Sequence, residues 1–216
     1  MLCFRLSIVD AGGILPLLKL MDSSNKVKTF SDGTEFNSSS NKAKENTIAA
    51  VIQLACKSRT NQDAIATAGG IPLLVEALIG ASASKDTEAV TQCALAAEAI
   101  WRMSEDHIDN KVTIADTGAI PPLVGLLGSP QSEVCTNAAA ALSSLSRDNV
   151  DNQAAIARTG AIAPLCSLVR EASPETKEQS ASALWALSHE NSSNKATIAK
   201  LGGAQNPWKT KLLHLV

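Results

Sequence analysis

A ten-residue pattern that recurs along the chain constrains the fold more than any other feature. It reads Asn-(Gln/Lys)-x-x-Ile-Ala-x-x-Gly-(Gly/Ala), and complete copies begin at Asn61, Asn110, Asn152 and Asn194. A degenerate copy without the opening asparagine ends at Gly12-Gly13. The first glycines stand at positions 12, 69, 118, 160 and 202, so the successive spacings are 57, 49, 42 and 42 residues. A period near 42 is typical of helical repeats that stack into a solenoid.

The most compact copy, 110–146, predicts three helices. The first runs from about Asn110 to Thr117, and Gly118 follows it as a C′ residue suited to the left-handed conformation. The second begins at a proline, which is well placed in a first helical turn because its missing amide would be unbonded there. The third runs from about Glu133 to Ser146. Its apolar stripe consists of Ala138, Ala141, Leu142 and Leu145.

The third helices align without gaps when they are counted back from the next asparagine, so extra length falls between the second and third helices. It amounts to about seven residues around 80–86, and about fifteen within a Ser/Asn/Lys-rich loop at about 21–41 that we expect to be disordered. The whole chain, 1–216, is therefore predicted to be one solenoid with repeats at about 4–57, 61–106, 110–148 and 152–190 and a partial repeat at 194–216. Neither end carries a polar cap, which favours a fragment of a longer array.

Composition narrows the class of protein further. Aromatic residues make up 3% of the chain and tyrosine is absent, which favours close helix packing over a β-sandwich. The net charge of −2 lacks the basic footprint of a nucleic-acid binder. No segment approaches the roughly 20 apolar residues that span a bilayer. Five cysteines without CxxC spacing indicate reduced core thiols, so we expect a cytoplasmic, possibly nuclear, protein without an integral membrane segment.

Catalytic and metal-binding patterns are absent from the sequence. The three histidines, His107, His189 and His214, stand in or near loops, and those in Asp106-His107 and His189-Glu190 are interpreted as solvated linker residues. No HExxH, GxSxG, Walker-type or GxGxxG phrase occurs. The glycine pairs recur as helix punctuation and not as phosphate loops. We therefore predict no enzyme activity, catalytic residue, metal site, cofactor or small-molecule substrate.

At 110–130 the phrase Asn-Lys-x-x-Ile-Ala-x-x-Gly-Ala-Ile-Pro-Pro-Leu-Val-x-Leu-Leu-x-Ser-Pro, followed by Ala-Ala-Ala-Ala-Leu-Ser-Ser-Leu, resembles the armadillo repeat. The resemblance covers roughly residues 4–203. It implies an all-α fold, a right-handed α-solenoid of about four to five three-helix repeats whose third helices line a concave groove. The implied function is a scaffold or adaptor that binds a protein or peptide there. The alternatives are the substrate-recruiting array of an armadillo-containing ubiquitin ligase and a nuclear-import adaptor; the partner itself is not indicated.

Helical geometry predicts which residues of the third helices face this groove. With the apolar stripe of 133–146 turned inward, steps of 100° place Thr136, Ala140, Ser143 and Arg147 opposite, flanked by Ser144. The corresponding stripes are Glu45, Ala49, Ile52 and Gln53; Ala94, Glu98, Trp101 and Arg102; and Glu178, Ser182, Trp185 and Ala186. From them we predict a protein-binding set of Gln53, Glu98, Trp101, Arg102, Ser143, Ser144, Glu178 and Trp185.

Two interpretations of Trp101 and Trp185 stay open at this point. They occupy equivalent positions two repeats apart, so they are either apolar anchors for a partner segment or side chains that fill space against a neighbouring third helix. Glu98 and Arg102 are spaced i, i+4, and an ion pair within the helix is expected for them.

In import adaptors of the family that the chain resembles, a tryptophan and an asparagine four residues later recur on this face. In this sequence the tryptophan position is assigned to Ala49, Glu98, Ala140 and Ser182. The asparagine position is assigned to Gln53, Arg102, Ser144 and Ala186. This assignment leaves no such ladder, which argues against recognition of basic localisation signals.

Overall fold

The computed structural model describes residues 12–22, 28–29, 35–36, 41–82 and 87–202. Its helices are α1 (Ile14–Leu18), α2 (Asn41–Ala55), α3 (Arg59–Thr67), α4 (Gly70–Ser82), α5 (Thr87–Ser104), α6 (Ile108–Asp116), α7 (Ile120–Leu126), α8 (Ser132–Ser146), α9 (Val150–Arg158), α10 (Ile162–Glu171), α11 (Pro174–Ser188) and α12 (Ser192–Gly202). Two short strands, β1 (Lys28–Thr29) and β2 (Glu35–Phe36), pair antiparallel. The prediction of an all-α repeat fold is confirmed.

The helices form the predicted three-helix repeats. The third helices α2, α5, α8 and α11 pack side by side in chain order, and α8 lies between α5 and α11. The second helices α4, α7 and α10 pack against the third helices of their own repeats. The core between these two rows is built from isoleucine, leucine and alanine, and Ala138 to Ala141 are at most 1% exposed. Small residues therefore allow the close approach of neighbouring third helices.

Glycines in the left-handed conformation separate the first helix of each repeat from the second. Gly69, Gly118 and Gly160 have φ angles of +82°, +91° and +89°. This confirms the prediction for Gly118, and it explains the first glycine of the repeated pattern because side chains disfavour this conformation. The second glycine is needed at one copy: a Cβ on Gly70 would lie 2.5 Å from Cγ2 of Ile65.

The opening asparagine of the pattern is a buried cap for the preceding third helix. Its side-chain amide donates to the carbonyl seven residues earlier, at 2.8 to 3.0 Å. The pairs are Asn61 with Leu54, Asn110 with Met103, Asn152 with Leu145 and Asn194 with Leu187. The last carbonyls of a helix have no partner within the helix. The same seven-residue spacing therefore provides a hydrogen-bond donor for an unpaired carbonyl at the end of the third helix in each of these four copies.

In three copies, the glutamine or lysine that follows this asparagine reaches the end of the third helix of its own repeat. Gln62 Nε2 donates to the Arg102 carbonyl at 2.6 Å, and Lys111 Nζ donates to the Arg147 carbonyl at 2.8 Å. Gln153 Nε2 donates to the Ala186 carbonyl at 3.1 Å. The first helices α3, α6 and α9 thus hold the C-terminal ends of the third helices of their own repeats.

The insertions are accommodated differently. Helix α4 has 13 residues against 7 in α7, so part of the extra length near 80–86 extends the second helix; residues 83–86 lie outside the described part. We expect the loop at about 21–41 to be disordered. Before the start of α2, the structure describes only Met21, Asp22, β1 and β2 of this loop. The disorder therefore stays a prediction, as does the end of the partial repeat after residue 202.

The described cysteines, Cys56, Cys93, Cys135 and Cys166, are free thiols. The last three are buried, and burial raises the pKa of each of these thiols, which keeps them protonated and unreactive. Core cysteines are confirmed at these three positions, whereas Cys56 is half-buried.

None of the described helices is by itself long and apolar enough to cross a membrane. The helices α3 and α4, which meet at a bend of 79°, reach that length and apolar content only when they are taken together.

Candidate protein-binding groove

Each third helix, with the residue that follows it, has four positions that align between repeats and on which most of the predicted groove residues lie. We call this surface the groove face. Its members are Glu45, Ala49, Ile52 and Cys56 at α2, Ala94, Glu98, Trp101 and Glu105 at α5, Thr136, Ala140, Ser143 and Arg147 at α8, and Glu178, Ser182, Trp185 and His189 at α11. In the last three repeats, equivalent members are 42 residues apart.

Trp101 is partly exposed and packs against the main hydrophobic core. Cζ of Arg102 lies 3.7 Å from the centroid of the indole ring, within the range of a cation–π interaction. The same guanidinium lies 3.3 Å from Oε1 of Glu98 and 3.8 Å from Oε2 of Glu105. The predicted ion pair between Glu98 and Arg102 is confirmed, and it belongs to a four-residue cluster that also contains Trp101 and Glu105.

Trp185 occupies the equivalent position in α11 but has different neighbours. The imidazole ring of His189 stacks on it, with ring centroids 5.3 Å apart and an interplanar angle of 28°. The counterpart of Arg102 is Ala186, which is fully buried. The two tryptophans therefore present unlike surfaces: one is covered by a guanidinium between two carboxylates, and the other is flanked by an exposed imidazole.

The expected exposure of Ser143 and Ser144 is wrong. Ser143 is 3% exposed and its Oγ lies 2.9 Å from Oγ of Ser182, while Ser144 is 7% exposed and its Oγ lies 2.9 Å from Oγ of Ser104. The prediction treated α8 as an isolated helix, but α5 and α11 cover both of its flanks. Ile52, Ala94, Ala140 and Ala186 are also buried.

The remaining predicted binding residues keep solvent contact. Gln53 and Glu178 are exposed, and Glu98, Trp101, Arg102 and Trp185 are half-buried. Their part in binding a partner stays a prediction.

The structure does not support the asparagine position predicted at Ser144 and Ala186, because both side chains are buried and neither can clamp a ligand backbone. Glu105 stands four residues after Trp101 and is half-buried, whereas His189 stands four residues after Trp185 and is exposed. Neither residue is in the binding set predicted from the sequence, although each lies 42 residues from Arg147 and this repeat spacing marks them as equivalent positions. No asparagine stands four residues after Trp101 or Trp185, so the ladder is missing in this register as well.

The first helix of the same repeat holds these C-terminal residues in place. Gln62 Nε2 donates to the carbonyls of Arg102 and Glu105, and Gln153 Nε2 donates to those of Ala186 and His189. The groove face is therefore a preorganised surface on stacked helices, which reduces the ordering cost of binding.

His107 is not the solvated linker residue that the sequence suggested. It is 2% exposed, its Nδ1 accepts from the Asn110 amide as the N-cap of α6, and its Nε2 lies 2.7 Å from Oδ1 of Asp63. These contacts give His107 a structural role. Within the described residues, no group of three His, Cys, Asp or Glu side chains is arranged to hold a metal ion.

Comparison with known proteins agrees with this geometry. Residues 107–147 and 149–189 match the Armadillo/beta-catenin-like repeat family. No curated protein matches the chain. A designed armadillo repeat protein shares the fold with a TM-score of 0.77 and 21% identity, over 97% of this chain and 83% of that one.

Two further designed proteins are similar. A computationally designed armadillo repeat protein for modular peptide recognition has a TM-score of 0.75 and 24% identity, over 93% of this chain and 75% of its own. A designed armadillo repeat protein in complex with the peptide (KR)4 has a TM-score of 0.75 and 20% identity, over 97% and 82%. The family matches identify residues 107–147 and 149–189 as armadillo repeats, and over most of its length the chain shares the fold of the designed armadillo repeat proteins.

Proposed function

We propose that this chain is a protein–protein interaction scaffold that holds an extended segment of a partner along the groove face. The observation that carries the proposal is the pair of partly exposed tryptophans, Trp101 and Trp185, at equivalent positions on a preorganised row of third helices. Tryptophan is enriched among the few residues that dominate binding energy in interfaces. The designed solenoids built for peptide recognition support the same use of this fold.

The finer alternatives share this surface and differ in what surrounds it. A ubiquitin ligase would use the array to recruit a substrate, and a catalytic domain elsewhere in the full-length protein would distinguish it. A nuclear-import adaptor would bind basic localisation signals, which the missing asparagine ladder disfavours. The cytoplasmic or nuclear location stays a prediction, and imaging of the tagged full-length protein would test it.

The test is selection of a peptide ligand followed by mutation of the groove face. A displayed library of random 12-residue peptides is selected on the immobilised chain, and the affinity of a recovered peptide is measured by fluorescence anisotropy. We expect Trp101→Ala or Trp185→Ala to weaken binding by at least about tenfold, because a buried aromatic anchor contributes about 2 kcal/mol or more. Circular dichroism checks that each variant remains folded.

Val150→Ala is the matched control. Val150 is an exposed apolar residue, 65% accessible, on the first helix α9 and outside the groove face. We expect its loss to leave the affinity unchanged. The proposal is wrong if folded tryptophan variants bind as the parent does, or if the Val150 variant loses as much affinity as they do. Lost stability with unchanged binding would assign both tryptophans to packing.

A further inference from the structure

Three large apolar side chains are exposed on two neighbouring first helices, outside the groove face. Ile108 and Val112 on α6 are 46% and 45% exposed, and Val150 on α9 is 65% exposed. Ile108 and Val112 are four residues apart, so they lie on the same side of α6. We call these three residues the first-helix patch. Neighbouring exposed apolar side chains mark an interaction site more often than scattered ones do.

A hydrogen bond fixes the two parts of the first-helix patch next to each other. The helices α6 and α9 are in contact, and Nδ2 of Asn152 donates to the Lys111 carbonyl at 3.2 Å. This bond joins the turn that begins at Val150 to the residue before Val112. A side chain also caps the N-terminus of each helix. The patch therefore lies on a rigid part of the array.

The fold does not require apolar residues at the positions of the patch. The first and fifth positions of the first helix are exposed in all four described copies. At the first position the copies have, in chain order, Arg59, Ile108, Val150 and Ser192, and at the fifth they have Asp63, Val112, Ala154 and Ala196. Large apolar side chains thus occur only in the two central copies among those described, which indicates a role other than folding.

The surface on which the patch lies is negatively charged. Along α6, α9 and the turns that precede them, exposed carboxylates outnumber exposed guanidinium groups by five to two. The carboxylates are those of Asp106, Asp109, Asp116, Asp148 and Asp151, and the guanidinium groups are those of Arg147 and Arg158. None of these five carboxylates forms an ion pair within the described part of the chain. Such a surface favours a partner that is apolar and positively charged.

We propose that the first-helix patch docks an amphipathic α-helix of a partner protein. The apolar stripe of that helix covers Ile108, Val112 and Val150, and lysine or arginine residues beside the stripe face the carboxylates. A helix fits because the patch extends across two packed helices, and side chains of a third helix pack into the shallow groove between two neighbours. The site is separate from the groove face and does not depend on the function proposed for it.

The experiment measures binding of a fluorescein-labelled 18-residue peptide to the full chain by fluorescence anisotropy. The peptide consists of leucine, lysine and alanine, with a leucine at every third or fourth position so that one apolar stripe forms. We expect it to bind, and we expect Ile108→Ser and Val112→Ser each to weaken binding by about fivefold or more, because the burial of an apolar side chain is lost. Circular dichroism checks that each variant stays folded.

Ile79→Ser is the matched control for the apolar contact. Ile79 is 47% exposed but lies on α4, a second helix, so its loss should change the affinity by less than about twofold. A peptide of the same composition, reordered so that no stripe forms, should bind at least about fivefold more weakly.

A pair of double variants tests the charge. Asp109→Asn combined with Asp151→Asn removes two carboxylates beside the patch, and we expect about threefold weaker binding at low salt and a smaller effect at high salt. Glu133→Gln combined with Glu171→Gln removes two exposed carboxylates from α8 and α10 and should change the affinity by less than about twofold.

The proposal is overturned if the striped peptide does not bind, if the reordered peptide binds equally well, or if the Ile108 and Ile79 variants lose the same affinity. It is also overturned if the two double variants behave alike. Binding that is lost in Trp185→Ala and kept in Ile108→Ser would place the peptide on the groove face. That result would support the proposed function and refute the site on the first helices.

Discussion

At the scale of single residues, Lys111 is the least expected side chain in the structure. It is 5% exposed, and its ammonium group donates to the Arg147 carbonyl at 2.8 Å. Burial lowers the pKa of Lys111 below the ordinary value for lysine, and the nearby Asp148 carboxylate opposes this in part. Gln62 and Gln153 make the equivalent contact without a charge. Lys111 therefore bears a desolvation cost that its counterparts avoid.

We predict that Lys111→Gln raises the free energy of unfolding at pH 7, by on the order of 0.5–1 kcal/mol, because the hydrogen bond is kept and the buried charge is removed. In the parent, the folded pKa lies below the unfolded one, so the unfolded state holds its proton more tightly. Parent stability thus rises with pH through the window between the folded pKa and 10.5, and the advantage of the variant shrinks there. Urea denaturation at pH 7 and at pH 10.5 measures both effects.

Lys195 provides the control for this substitution. It holds the same position in the last described copy but is exposed, so Lys195→Gln should change stability by less than about 0.5 kcal/mol. A destabilised Lys111 variant would show that the ammonium is worth more than its desolvation costs. An equal gain at both pH values would show that the gain does not come from removal of the charge.

At the scale of elements, the asparagine caps explain how a third helix ends and the next repeat begins. Asn110 is 3% exposed, its amide donates to the Met103 carbonyl, and its backbone amide is capped by His107. The side chain thus joins α5 to α6 across a tight turn in which Asp106 has a positive φ of 54°. Removing the amide leaves a buried carbonyl unpaired.

We predict that Asn110→Ala lowers the free energy of unfolding by about 1–3 kcal/mol, the cost of an unsatisfied buried polar group. Asn110→Asp should fail to rescue it, because a carboxylate cannot donate to a carbonyl. Asn46→Ala, at an exposed position on α2, is the comparison and should stay within about 0.5 kcal/mol of the parent. Equal effects of the Asn110 and Asn46 substitutions in urea denaturation would refute the capping role.

The sequence predicts the helices of each repeat, but it does not predict which residues of the groove face are exposed. The 42-residue pattern predicts the helices and Gly118, because backbone conformation and apolar periodicity are local properties. Exposure along a third helix depends on the two helices beside it, so Ser143 and Ser144 were misplaced. The contact of Arg102 with Trp101 was also beyond prediction, since adjacent residues point 100° apart on a helix and only a long flexible side chain brings them together.

At the scale of the whole molecule, each repeat contacts its neighbours, so stability is close to a sum of repeats and interfaces. Helix α8 is packed between α5 and α11, and every residue from Asn137 to Ser146 is buried. Helix α12 packs against α10 and α11 and buries Asn194 and Ile198. Asn110 on α6 and Asn194 on α12 cap the preceding third helices with the same geometry. The helix interfaces around these two caps nevertheless differ greatly in extent.

This contrast predicts a position-dependent outcome for one chemical change. Native-state hydrogen exchange should show α12 opening locally, with a free energy several kcal/mol below that of α8, which opens with the whole chain. Asn194→Ala should then speed exchange in α12 and leave α8 unchanged, whereas Asn110→Ala should speed exchange in α5 and α8 together. If the Asn194 variant lowers protection in α8 as much as in α12, the array unfolds as one cooperative unit. The nearest-neighbour description would then not apply to it.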